Sequence, residues 1–182
     1  MWCLGIGLLL AVLLAVALQR SQEKQRTTES QRTAAALSQL SPLPLEWNGW
    51  SLAQRKKWVV ERTAEWWRVV RLLYPQLQGD GPSVTFSARM SRTQGYAKVQ
   101  TAEIRYSELV LSTRTPVEID ELIAHEVAHL VTFQLDPTAS AHGPRWKAVM
   151  KTMGQVPARL ARCEGAHDQE RELAWREQST QP

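Results

Sequence analysis

The residues best suited to chemistry lie in one short stretch, His125-Glu126-Val127-Ala128-His129, which has the pattern H-E-x-x-H. If the stretch is helical, positions i and i+4 lie on one face with Cβ atoms about 5–6 Å apart, so the two imidazoles can bind one cation. Glu126 then projects about 100° further round the helix axis, where its carboxylate can take a proton from water. The pattern therefore predicts a metal site with a general base.

The donor type indicates which metal this site would hold. Imidazole nitrogens are neutral donors that suit Zn²⁺ better than Mg²⁺ or Ca²⁺, which prefer oxygen ligands. The alternative is a surface helix that carries two unrelated histidines in a salt-bridged face. The apolar residues on both sides of the motif favour a buried helix, in which two imidazoles without partners would be costly.

A catalytic zinc site needs a third protein ligand. The pattern with a third histidine six residues after His129 is excluded, because Leu135 occupies that position. The downstream residues weighed for this role are Asp136, His142, Glu164 and His167. The aspartate precedes a predicted helix stop at Pro137, the glutamate lies in no convincing helix, and the last histidine is more typical of a surface. His142 is therefore preferred, since the loop before it can return its side chain to the metal.

The motif lies midway along a predicted helix. Thr115 is the expected N-cap, with Pro116 at the first helical position and Glu118 at the third, which is a capping-box arrangement. Apolar residues at three- and four-residue spacing continue to about Gln134, and Asp136-Pro137 then ends the helix. This helix is long enough to present both histidines on one face.

A second long helix is predicted upstream, from Ser51 as N-cap to about Tyr74, where Pro75 stops it. Its apolar residues recur at three- and four-residue steps, which gives one stripe for packing. The elements together indicate an α+β fold in which several helices accompany a small three-stranded antiparallel or mixed sheet. The remaining strands and helices are predicted over residues 83–87, 96–100, 103–107, 144–152 and 166–176.

Composition narrows the class of protein. Of 182 residues, 22% are charged and 43% are hydrophobic, which excludes wholesale disorder and collagen-like repeats. Two cysteines cannot supply a disulfide framework or a zinc site of several thiolates. The formal net charge of +4 permits an anionic partner without requiring one.

The N-terminal segment differs in character from the rest of the chain. Residues 2–18 carry no charge and, as a helix rising about 1.5 Å per residue, would span roughly 26 Å. Arg20 and Lys24 follow, which favours a single-pass membrane anchor over residues 1–18 with the remainder on the cytoplasmic side. The alternative is a cleaved signal peptide followed by export. Residues 19–44, rich in Gln, Ser, Thr and Arg, are predicted to form a juxtamembrane linker.

Between residues 82 and 162 the chain resembles a known family in several blocks that occur in order. These blocks are Phe86–Met90, Gly95–Ala97, Glu103–Tyr106, Ile119–Leu130 and Ala141–Trp146. On them the chain is similar to the SprT-like (SprT/Spartan) zinc metalloprotease family. The resemblance implies a zincin-like minimal metalloprotease core over residues 45–182, with a long N-terminal helix, the small sheet, the H-E-x-x-H helix and C-terminal helices. An N-terminal hydrophobic helix is expected in front of this core.

The resemblance also implies roles for individual residues. The family's paired histidines correspond to His125 and His129, its catalytic glutamate to Glu126, and its third zinc ligand, in an H-G-x-x-W/F element, to His142. The implied activity is hydrolysis of peptide bonds in a protein or peptide substrate, by a water that the metal activates and with Glu126 as general base.

Two further expectations concern the substrate. In zincins, the substrate commonly lies antiparallel beside an edge strand next to the metal helix. Residues 103–107 either receive a substrate in this way, by strand addition, or form an ordinary strand within the sheet. Tyr96, Arg105 and Tyr106 are candidates for a second donor to the oxyanion.

Two other functions are compatible with the same residues. A membrane-tethered, non-catalytic binding or scaffold protein would use the zinc structurally, although structural zinc sites usually have four protein ligands. A DNA-associated protease that acts on DNA-bound proteins would need a basic surface. The residues available for such a surface are Arg89, Arg92, Lys98 and Arg105, interleaved with Tyr96 and Tyr106. The sequence leaves the oligomeric state unknown.

Overall fold

The computed structural model describes residues 3–157, with side chains from residue 14 onward. The predicted helix over residues 166–176 and the candidate ligands Glu164 and His167 lie outside the described residues. The helices are α1 (Cys3–Leu37), α2 (Leu52–Leu73), α3 (Glu108–Thr113), α4 (Pro116–Leu135) and α5 (Pro144–Thr152), with a 3₁₀ turn at Trp47–Gly49. The strands are β1 (Ser83–Ser87), β2 (Gly95–Lys98) and β3 (Glu103–Ser107).

The first helix corrects the prediction of a membrane anchor. Across residues 3–157, none of the helices combines the length and the apolar character that crossing a bilayer requires. The uncharged part of α1 that the structure describes, residues 3–18, is about 24 Å long at about 1.5 Å per residue, and a hydrocarbon layer is about 30 Å thick. Beyond it the same helix continues into charged residues, beginning with Arg20. The predicted single-pass anchor, and the membrane location based on it, is therefore wrong.

Helix α1 continues to Leu37, well into the stretch that was expected to be a linker. Gln, Glu, Lys, Arg and Ala are frequent in this stretch and are good helix formers. The Thr27 hydroxyl donates to the carbonyl of Glu23 at 2.9 Å, one helical turn back. One compact unit of the chain ends at Ala35 and a second begins at Ala36. The few apolar residues of this segment limit the apolar surface that it can bury. Its high helix propensity nevertheless makes it helical.

The two long helices of the second unit begin where the sequence predicts. Ser51 caps α2, accepting a hydrogen bond from the backbone of Gln54, and the Gln54 side chain accepts one in return. Thr115 and Glu118 form the same reciprocal capping box at α4, with Pro116 in the first turn. These caps satisfy amide groups that each helix would otherwise leave without intrahelical partners.

The sheet has the strand order β1-β3-β2, with β1 parallel and β2 antiparallel to β3. It is the predicted small three-stranded mixed sheet, in an α+β fold. Because β3 is hydrogen-bonded on both sides, residues 103–107 cannot receive a substrate strand, and that expectation is wrong. The edges of the sheet are β1 and β2. Of these, β2 is the strand that packs against α4.

The two faces of the sheet have different roles. Val84 and Phe86 in β1 and Ile104 and Tyr106 in β3 lie on the face that packs against the helices. Ile104 and Tyr106 are wholly buried. The alternate residues of the same strands lie on the opposite face, as the two-residue period of a strand requires. The helix-facing side therefore closes the core and borders α4.

A buried network of charged groups joins α2 to the first half of α4. Arg62, which is 4% exposed, donates to Asp120 from Nε at 2.7 Å and from Nη2 at 2.9 Å. Its Nη1 donates to Glu65 at 2.8 Å and to the Ser41 carbonyl at 2.7 Å, and Trp66 Nε1 donates to Asp120 at 2.7 Å. Removing one partner of a fully buried ion pair costs about 3–5 kcal/mol, and the cost is lower here because Asp120 and Glu65 are only half-buried. The network therefore fixes the helix that carries His125 and His129 against the rest of the core.

Candidate metal centre

Three histidine side chains converge beside the middle of α4. The Nε2 atoms of His125 and His129 lie 3.1 Å apart, and Nε2 of His142 lies 3.2 Å from that of His125. The possible ligand atoms of the three residues all lie within 4.8 Å of one another. His125 and His129 are buried on successive turns of α4, and His142 is half-buried. Together they form a possible metal site.

The distances from Nε2 of His125 to the other two Nε2 atoms fit zinc. Tetrahedral coordination with Zn–N distances of about 2.0–2.1 Å places neighbouring ligand nitrogens about 3.3 Å apart. The two separations from Nε2 of His125, 3.1 and 3.2 Å, are close to this value. Within the described residues the cluster consists of imidazoles alone, without a carboxylate, and such a donor set suits zinc better than magnesium or calcium.

The loop after α4 returns His142 to the helix. The Asp136 carboxylate accepts hydrogen bonds from the backbone and hydroxyl of Thr138, at 3.0 and 2.7 Å. These hydrogen bonds, from the hydroxyl and then the amide, lower the pKa of Asp136. The amide of Gly143 donates to the carbonyl of Ser140 at 3.0 Å, and α5 begins at the next residue. Asp136, the alternative ligand, thus stabilises the loop and stands apart from the imidazole cluster.

Glu126 lies between the two helical histidines and is fully buried. Its neighbour across the site is Gly95, the first residue of β2. A Cβ atom added at Gly95 would lie 3.4 Å from Oε1 of Glu126, and 3.2 Å from Cδ1 of Tyr106. The carboxylate of Glu126 therefore faces the start of β2. A side chain at position 95 would narrow the space between them.

None of the three oxyanion candidates is placed to serve that role. Tyr106 is buried, and its hydroxyl lies 3.3 Å from Oγ1 of Thr63. Because Thr63 gives its own proton to the Val59 carbonyl at 2.7 Å, the Tyr106 hydroxyl is the donor to Thr63. Burial, together with the nearby Glu126 and Asp120 carboxylates, raises the pKa of Tyr106, so it stays protonated. Tyr96 and Arg105 pair across β2 and β3 on the opposite face of the sheet.

The proposed basic surface is divided by the fold. Tyr106 is wholly buried and contributes nothing to a surface. Lys98 and Arg105 both donate to Glu103, each at 2.9 Å. Hydrogen bonds from Lys98, Thr85 and Arg105 lower the pKa of Glu103 to about 2. Its single negative charge therefore offsets one of the two positive charges of Lys98 and Arg105 at neutral pH. The other two arginines of the set are exposed in the loop between β1 and β2, and DNA binding stays a prediction.

Two residues at the site belong to the blocks that carry the family resemblance, but no role was predicted for either of them from the sequence. One is Gly95, whose importance depends on a contact with a helix far along the chain. The other is Trp146, which lies one helical turn after His142 and whose ring contacts all three imidazoles. Its spacing of four residues from His142, across the start of α5, is the signal from which its position could have been inferred.

Comparison with known proteins identifies relatives of this chain. A sequence model described as the SprT-like family matches residues 67–167. Protein SprT of Vibrio atlanticus is 37% identical over 78 residues, which are 43% of this chain and 46% of that protein. Protein SprT of Glaesserella parasuis is 34% identical over 82 residues, which are 45% of this chain and 52% of that protein. The chain thus spans about half the length of these relatives. No solved structure matches it.

Proposed function

Because this chain belongs to the SprT-like family, which is of the metallopeptidase type, we propose that it is a zinc-dependent metallopeptidase that hydrolyses peptide bonds in protein or peptide substrates. The observation that carries the proposal is the convergence of three imidazole Nε2 atoms on the helix that also holds the buried Glu126. Three protein ligands leave one position of a tetrahedral ion for water, as catalytic zinc sites do.

Each side chain has a distinct task in this proposal. His125, His129 and His142 hold the ion through neutral nitrogens, so that its charge is not reduced by the ligands. When bound, zinc lowers the pKa of a water towards about 7 and polarises the oxygen of a substrate carbonyl. A carboxylate oxygen of Glu126 accepts the proton of the attacking water and then transfers it to the nitrogen of the leaving amine.

The outer edge of β2 is the proposed position of the substrate backbone. The amide of Ser107 donates to the carbonyl of Gln94 at 2.9 Å, which makes these two residues a hydrogen-bonded pair. Such pairs alternate along an antiparallel ladder, so the backbone groups of Gly95 and Ala97 point away from β3. An extended peptide added to this edge would pass the residue that faces Glu126.

Replacing Gly95 by alanine is expected to lower the turnover rate by about tenfold to a hundredfold while zinc stays bound. The added Cβ would lie 3.3 Å from the Arg105 carbonyl oxygen and 3.4 Å from Oε1 of Glu126, so neighbouring groups must shift by tenths of an ångström. A misplacement of catalytic groups by about 1 Å can cost about 100-fold in rate, and the added methyl group also narrows the proposed substrate path beside Glu126. Steady-state cleavage of a labelled peptide, with zinc content measured on the same sample, tests this expectation.

The matched control for this variant is Gly49→Ala. No atom lies within 4 Å of a Cβ added at Gly49, so this second glycine replacement should leave the rate unchanged. Wild-type turnover in Gly95→Ala would show that the space in front of Glu126 is not needed, and would remove β2 from the proposed substrate path.

Removal and restoration of the metal tests the proposed function as a whole. Purified protein should contain one zinc per chain by elemental analysis and should cleave a fluorescently labelled unfolded protein. Dialysis against a chelator should abolish cleavage, and stoichiometric zinc should restore it whereas magnesium should not, since the donors are imidazoles. Undiminished cleavage by the metal-free protein, or a chain that takes up no transition metal, would contradict the proposal.

A further inference from the structure

Trp146 lies against the whole imidazole cluster. Its ring centroid is 4.8 Å from those of His125 and His142, and both contacts are edge-on, with interplanar angles of 63° and 88°. It is stacked on His129 with centroids 5.5 Å apart and an interplanar angle of 24°. The indole is 0% exposed. One side chain thus contacts every proposed metal ligand from a single side.

The polar atom of this indole points to a role other than filling the core. Nε1 of Trp146 is buried and has no hydrogen-bond partner among the described residues. Leaving a buried donor without a partner carries a free-energy cost, which a phenyl ring of similar shape would avoid. Stability alone would therefore favour an apolar ring here, whereas the aromatic ring of Trp146 contacts all three imidazoles at once.

The local backbone explains how Trp146 reaches the cluster. Pro144 starts α5, and Trp146 lies in its first turn. Side chains in a helix lean back towards the N-terminus and cover the preceding turn. The indole is therefore directed towards Gly143 and His142, the residues that close the loop after α4.

We infer that Trp146 is a positioning residue, which holds the planes of the three imidazoles so that their Nε2 atoms converge before a metal is bound. This inference rests on the proposed metal site. The stack fixes the ring of His129, and the edge contacts limit the rotation of His125 and His142. Without the indole, these rings keep their donor atoms but lose the orientation that brings the atoms together.

The expected effect is a loss of metal affinity. Changes to groups that orient metal ligands typically weaken metal binding by 10–100-fold. Trp146→Leu, which removes the aromatic stack, should weaken zinc binding by about this factor. Trp146→Phe keeps one ring for stacking and should stay within a few-fold of the wild type.

The test measures zinc affinity by competition with a chelating dye, and thermal stability of the metal-free protein, for the wild type and both variants. Met150→Ala is the matched control, because Met150 is a buried residue on the same helix, 3% exposed, one turn further on. It should lose stability yet bind zinc as tightly as the wild type. The visible spectrum of the cobalt-loaded protein reports the coordination geometry directly, and it should change in Trp146→Leu and not in Met150→Ala.

The outcomes separate this inference from the proposed function. Wild-type affinity in Trp146→Leu, or an equal loss in Met150→Ala, would show that the indole is core packing alone and would overturn only the inference. If Trp146→Leu does not fold, the other two variants provide the test. Weakened zinc binding in Met150→Ala, with wild-type affinity and an unchanged cobalt spectrum in Trp146→Phe, would overturn the inference as well. A wild-type chain that binds no zinc would overturn the proposed function itself.

Discussion

Glu126→Gln should abolish peptide cleavage and leave zinc bound. Glutamine matches glutamate in shape but cannot accept a proton from water at neutral pH. Positioned general bases typically contribute 10²–10⁴-fold to a rate, so the turnover number should fall by at least about 100-fold. Zinc content should stay at the wild-type value, since the three imidazoles are unchanged.

Glu121→Gln is the matched control for this experiment. Glu121 lies one helical turn before His125 on α4 and is exposed, so the same chemical change there should affect neither metal content nor turnover. Turnover of a labelled unfolded protein and elemental analysis, on the same preparations, separate catalysis from metal binding. A Glu126→Gln protein that loses zinc and fold together would identify the glutamate as structural, and would favour a non-catalytic binding protein with a structural zinc.

Much of this candidate site was predictable because two of its three histidines lie on one helix. His125, Glu126 and His129 are neighbours in sequence, and the helix that presents them is specified by local signals, the Thr115 cap and Pro116. Local hydrogen bonding alone explains these features. The chemistry of the motif can therefore be predicted from local sequence, without knowledge of contacts between distant residues.

Contacts between distant residues were predicted less well. The alternation of residues 103–107 indicates a strand, but it does not say which strands pair with it, and β3 proves to be central. Tyr96 and Arg105 pair on one face of the sheet, and Tyr106 lies on the other. This separation matters only because one face packs against helices, which the sequence pattern does not show. Register and pairing depend on the whole fold, which a short pattern does not encode.

The misassigned N-terminal segment has a different cause. Its apolar residues suggested a bilayer span, whereas the structure shows one helix, α1, that runs from the apolar part into a charged part without interruption. Mean hydropathy over a short window does not distinguish a membrane span from the apolar end of a longer helix. Short α3 was also missed, since its six residues, Glu108–Thr113, are too few for a periodic pattern.

His142→Ala should remove zinc binding almost completely. This variant tests the assignment of His142 as the third zinc ligand. Orienting groups outside the ligand set already cost 10–100-fold in affinity when they are changed, so loss of a ligand should exceed about 100-fold and should abolish cleavage. The metal-free protein should keep its thermal stability, because the side chain of His142 is only half-buried in a loop. Zinc competition, calorimetry of the metal-free protein and peptide cleavage measure the three effects.

Asp136→Asn is the control for His142→Ala, because it distinguishes loss of a metal ligand from loosening of the loop that carries it. Asp136 accepts the Thr138 hydrogen bonds that shape the same loop, so asparagine there should loosen the loop while the three imidazoles keep their nitrogens. Zinc affinity should fall by much less than in His142→Ala. If His142→Ala binds zinc as the wild type does while Asp136→Asn does not, the aspartate is the third ligand. If both variants bind zinc normally but His167→Ala does not, the ligand lies beyond residue 157, and the geometry of three converging imidazoles would no longer explain the site.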